Sequence, residues 1–220
     1  ATGGPNAING GFDTYNNFGD DTTTTLTEAG GMATMGWTTP PNQYRKMGIV
    51  SKNAVDVTGQ SSIEATFEID SVTFPDGELD NLKFGLADLI LTFSTNGADT
   101  LNYSIGLEEV DDRHNYTSRM VGFTRISDHV SEFADGFSVV MEADDSGWSI
   151  SFPDTTLTAQ SGAWPTGFTF DSVFDDTNLF RNIAGDAERL GTEGSTAWVQ
   201  VMRRGGNPFM LNMDSMEVKT

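Results

Sequence analysis

Groups able to stack, bond or ligate lie along the whole of this chain rather than in one motif. It holds four Trp and four Tyr, and a flat ring meets a sugar face well when amide, carboxylate or guanidinium groups stand near to bond the hydroxyls. In Trp198-Val199-Gln200-Val201-Met202-Arg203-Arg204, alternation sends the two valines to one face and Trp198, Gln200 and Met202 to the other. Trp37 and Tyr44 bracket a Thr/Pro/Asn stretch, and Trp164 precedes Pro165. Trp198, Gln200, Trp37, Tyr44 and Trp164 are therefore the candidate ligand-binding residues. Trp148 heads a run that places Ile150 and Phe152 on its own face, which reads as core.

A second chemistry belongs to acids. Doubled aspartates occur at Asp20-Asp21, Asp111-Asp112, Asp144-Asp145 and Asp175-Asp176, in turn-forming surroundings where carboxylates and carbonyls can converge on a hard cation. The chain has no cysteine, which excludes disulfides, thiolate zinc sites and cysteine nucleophiles and leaves oxygen donors, so calcium leads. Asp175 and Asp176, followed by Thr177 and Asn178, form the strongest doubled pair. The same residues also keep an acidic surface hydrated, and none of these turns spells an EF-hand loop.

Twelve Lys and Arg against 32 Asp and Glu give a net charge of −20 over 220 residues. A surface of that sign repels phosphate backbones and anionic lipid, so nucleic-acid binding and membrane insertion are not expected. No apolar window approaches the roughly 18 residues of a membrane span. Ala1-Thr2-Gly3-Gly4-Pro5 carries no basic and apolar leader, which reads as a mature or trimmed chain. The acidic, cysteine-free, Thr/Asn/Gly-rich composition suits a secreted or cell-surface protein of a bacterium from saline water.

The elements that must position these groups are strands. Runs rich in Val, Ile, Phe and Thr alternate with Gly, Asn, Asp and Pro clusters, the rhythm of sandwiches and jelly rolls. The clearest is 62–74, where Ile63, Ala65, Phe67 and Ile69 alternate with Glu64, Thr66, Glu68 and Asp70. Further strands are expected at 45–51, 88–94, 101–107, 116–126, 137–142, 148–152, 168–174, 197–203 and 210–219. Ala143-Asp144-Asp145-Ser146-Gly147 marks a hairpin. Helical spacing appears once, over 176–190, with Gly185 interrupting it. No linker or repeat divides the chain, so residues 1–220 read as one domain.

Asn9-Gly10-Gly11-Phe12-Asp13 near the start and Leu211-Asn212-Met213-Asp214-Ser215-Met216-Glu217-Val218 at the end resemble the opening and closing segments of jelly-roll carbohydrate-binding modules. That resemblance implies first and last strands side by side, with Asp13 and Asp214 sharing a structural calcium. The stretch from Ile49 to Lys52 and on through Val57-Thr58-Gly59-Gln60-Ser61-Ser62-Ile63-Glu64-Ala65 resembles concanavalin A-like and laminin-G-like sandwiches. Glu64-Ala65-Thr66-Phe67-Glu68-Ile69-Asp70 resembles the E-x-D-x-x-E strand of laminarinase-like glycoside hydrolases. Residues two apart on a strand are about 6.6 Å apart, close enough for carboxylates to cooperate across a sugar. Ser71, Val72 and Thr73 follow, however, so the last acid is missing. Arg113-His114-Asn115-Tyr116 with Arg119 resembles the residue set of polysaccharide lyases on sandwich folds, which neutralise a uronate and move a proton.

The expected architecture is an all-β, two-sheet antiparallel β-sandwich of jelly-roll type with at most one or two short helices and both termini in adjacent strands. The function it suits best is non-catalytic recognition of an extracellular polysaccharide, stabilised by calcium. A self-assembling subunit of an extracellular layer or filament is the alternative, through self-association of edge strands. A lyase or glycoside hydrolase comes third.

Overall fold

The period-2 pattern becomes strand along nearly its whole length. In a computed structural model the described residues are 12–16, 24–38, 44–51, 59–74, 81–95, 100–110, 116–127, 135–174, 197–204 and 208–220. They form β1 (Phe12–Asn16), β2 (Thr24–Ala29), β3 (Met32–Trp37), β4 (Tyr44–Ser51), β5 (Ser62–Thr73), β6 (Asn81–Leu86) and β7 (Leu89–Thr95). There follow β8 (Thr100–Val110), β9 (Tyr116–Ser127), β10 (Phe137–Asp144), β11 (Gly147–Ser151), β12 (Gln160–Ala163), helix α1 (Phe170–Phe174), β13 (Ala197–Arg204) and β14 (Phe209–Lys219). Sheet A has the order β1-β4-β13-β6-β7-β8-β9 and sheet B the order β12-β11-β10-β5-β14-β3-β2. Every pairing between them is antiparallel.

Alternation assigns the faces. Leu82, Phe84 and Leu86 of β6, Leu91 and Phe93 of β7, and Leu101, Tyr103, Ile105 and Leu107 of β8 are all fully buried beneath sheet A. Ile63, Ala65, Phe67 and Ile69 of β5 do the same for sheet B, but further along the strand Val72 and Phe74 are buried instead, a change of parity. The register with β14 slips at that level, leaving Asp70 of β5 and Asp214 of β14 unpaired. β14 changes parity there too, from Leu211 and Met213 to Met216. Matched irregularities let both strands keep an apolar inner face.

An aromatic cluster joins the sheets. Phe93 packs at 6.0 Å from Phe84, 5.8 Å from Phe137, 5.9 Å from Tyr103 and 5.9 Å from Phe152, and Phe84 reaches Phe67 of the other sheet at 5.3 Å. Most of these contacts are edge-to-face, the arrangement favoured by ring quadrupoles. The Tyr103 hydroxyl donates to the Thr158 carbonyl and ties the segment after β11 to sheet A.

Three expectations are corrected. Residues 168–174 do not continue as a strand: Phe170, Val173 and Phe174 recur at helical spacing and are buried together in α1. Thr169 and Ser172 cap that turn, the Ser172 amide donating to Thr169 Oγ1 at 3.2 Å and the Thr169 amide to Ser172 Oγ at 2.8 Å. The first and last strands are not neighbours, because β1 pairs with β4 at the edge of sheet A while both sides of β14 are taken by β3 and β5 in sheet B. Residues 32–37, given no strand in the sequence reading, form β3 inside sheet B between β14 and β2. The helix expected over 176–190 lies outside the described residues.

Candidate functional site

The outer face of sheet A, the side away from the core, carries polar side chains in rows across the strands. One row runs Gly48, Gln200, Lys83, Thr92 and Ser104 across β4, β13, β6, β7 and β8, and continues at register position Phe123 of β9. Lys83, Thr92 and Ser104 are half-buried, and Gln200 is only 2% exposed. A neighbouring row brings Ser94 and Asn102 beside register position Arg125, with Asn102 at 8% exposure. Gln200 and Asn102 are thus shielded from solvent although they turn away from the core. The row sets amide, hydroxyl and ammonium side chains at strand spacing, about 4.8 Å between neighbours.

On the other side of Gln200 the row holds Val50, Trp198, Gly85, Ile90 and Gly106. Trp198 lies against Gly85, where an added Cβ would stand 1.9 Å from the indole Cε2. Its N–H donates to the Ala87 carbonyl at 3.2 Å. Ala87 occupies the tight β6–β7 turn with φ of 50°, a left-handed conformation unusual for a residue with a Cβ. The ring is therefore held by a missing side chain beside it and a carbonyl above it.

These positions revise the binding set. Trp198 is on the outer face, as alternation requires, but at 1% exposure it offers no plane for stacking. Trp37 is likewise 1% exposed and packs on Phe209 at 5.3 Å, a core residue. Trp164 is half-buried against the core, and its N–H donates to the Asp144 carbonyl at 2.7 Å, closing the end of the β10–β11 hairpin. Tyr44 opens β4 at the register position of Arg204. Gln200 alone of the five stands among other polar residues of one row. Lys83, Thr92, Asn102 and Ser104 were not among the sequence candidates, although their alternation with Leu82, Phe84, Leu91, Phe93, Leu101 and Tyr103 marks them as facing away from the core.

Sheet B presents a different surface. A row of Ser161, Ser149, Glu142, Glu64 and Lys219 crosses β12, β11, β10, β5 and β14 beside a cleft of about 680 Å³. Glu142 accepts from Ser149 at 2.7 Å, and Lys219 lies 3.6 Å from Glu64 and 3.1 Å from Glu217. The Glu217 carboxylate, by hydrogen bond and then by charge, raises the Lys219 ammonium above its usual range. In the β10–β11 turn Asp144 accepts from the Ser146 hydroxyl and amide and from the Gly147 amide, and these bonds, the hydroxyl first, hold its carboxyl below the ordinary value.

The carboxylate readings are located as follows. Glu68 and Asp70 edge a second cleft of about 600 Å³ with Asp135 and Asp154. The Ser138 hydroxyl lies 2.5 Å from Glu68 and also contacts Asp154. Asp214 is exposed on sheet B, whereas Asp13 lies in β1 of sheet A opposite Val50. The two strands that the jelly-roll resemblance would set side by side thus lie in different sheets. Among the described residues no group of three or more His, Asp or Glu is arranged to hold a metal. Asp175 and Asp176 lie outside the described residues, as do Arg113, His114 and Asn115. Tyr116 and Arg119 fall in edge strand β9, opposite Val110 and Leu107.

No protein-family model matches the sequence, and comparison with curated proteins finds no match. Similar architectures occur among solved structures. A legume lectin-like domain from Entamoeba histolytica superposes with a TM-score of 0.56 over 95% of this chain and 89% of its own, at 9% identity. The CBM2 module of the evolved Dit of Lactobacillus casei BL23 phage J-1 gives 0.53 over 94% and 90%, at 13% identity. A Lotus tetragonolobus seed lectin gives 0.53 over 97% and 94%, at 10% identity. The fold is thus a concanavalin A-like β-sandwich of the kind found in lectins and carbohydrate-binding modules.

Proposed function

We propose that the chain is a non-catalytic extracellular glycan-binding protein and that it binds through the outer face of sheet A. The carrying observation is the half-buried row Lys83–Thr92–Ser104, which aligns hydrogen-bonding groups on three adjacent strands of a rigid sheet. Glycans present dense hydroxyls, and a preformed polar row meets them at little ordering cost. The lectin-like and carbohydrate-binding folds that resemble this one support the same reading at the level of architecture. The non-catalytic part rests on β5, where Thr73 stands in place of the motif's last acid and Glu68 is engaged by the Ser138 hydroxyl.

A glycan array probed with the labelled protein tests the proposal. Thr92→Ala with Ser104→Ala should weaken retention without lowering the melting temperature, while Ser149→Ala on sheet B should leave retention unchanged. Silence across every glycan class, or indifference to the sheet A pair, would refute it. Calcium stabilisation belongs to the same proposal without a shared Asp13–Asp214 site. Saturating calcium at about 100 times Kd should add roughly 2.7 kcal/mol over chelator at matched ionic strength. Equal melting temperatures in the two buffers would remove it.

A further inference from the structure

We draw no further inference here: the strongest candidate, the cleft of about 600 Å³ on sheet B where the Ser138 hydroxyl meets Glu68 and Asp154 beside Asp70 and Asp135, is a cluster of carboxylates held by contacts of its own, and nothing among the described residues points to a ligand for it.

Discussion

Gly85→Ala should be among the most costly single-methyl additions in the molecule, through Trp198. The new Cβ would lie 1.9 Å from Cε2 and 2.3 Å from both Cζ2 and Nε1 of the indole. Ordinary carbon contacts are about 3.5–4.0 Å, so the ring must retreat by roughly 1.5–2 Å. Retreat breaks the bond from the indole N–H to the Ala87 carbonyl. Overpacking costs about 1–3 kcal/mol and the lost bond about 0.5–1.5 kcal/mol. Loss of unfolded-chain freedom on Gly→Ala returns about 0.4–1 kcal/mol. The net expectation is a loss of about 0.5–4 kcal/mol, equivalent to a melting point roughly 1–16 °C lower. Trp198→Leu removes the colliding atoms and should itself cost less than the roughly 3–5 kcal/mol of a full Trp→Ala truncation, because leucine fills part of the cavity. In that background Gly85→Ala should be neutral or slightly stabilising. Guanidinium titrations of the four proteins, followed by far-ultraviolet circular dichroism, give the coupling, which should exceed about 1 kcal/mol. Additivity within about 0.5 kcal/mol would refute the picture of a ring seated on Gly85.

Two further outcomes test the frame. Phe93→Ala empties the centre of the aromatic cluster and should cost about 3–5 kcal/mol, with Phe93→Leu costing less than half as much, measured by the same titration. Asp144→Asn should lower the melting temperature at neutral pH. The folded carboxyl is held below its ordinary 3.8, so its contribution is present above that value and fades as the pH falls through the lower folded one. Melting curves from pH 7 to pH 2 should therefore converge for parent and variant at the acid end, and a constant gap would contradict the role assigned to its bonds with Ser146 and Gly147.

How far the fold was legible follows from which forces are local. β4, β5, β7, β8, β9, β10, β11, β13 and β14 could be read because strand-forming residues run through them between turn-forming clusters, a pattern written into consecutive residues. β12, with only Gln160–Ala163, is too short to show a period. β6 carries the pattern over six residues, Asn81 to Leu86, yet Gly85 at an outer position blurs it. Residues 168–174 misled because a one-turn helix needs only three buried residues, and Phe170, Val173 and Phe174 also suit a strand in a chain full of them. Edge pairing of β1 could not be read at all: which free edge a short strand joins depends on partners distant in sequence.

The binding surface was legible in part, and its gaps have one cause. Alternation correctly sent Trp198 and Gln200 to the outer face, but exposure depends on what stands next to a ring across the sheet. The register of β13 with β6 puts Gly85 beside Trp198 and Lys83 beside Gln200, so one position seats an indole and the adjacent one presents an ammonium. These neighbours are more than 100 residues apart in the chain, so the pairing that sets them side by side can be seen only in the fold.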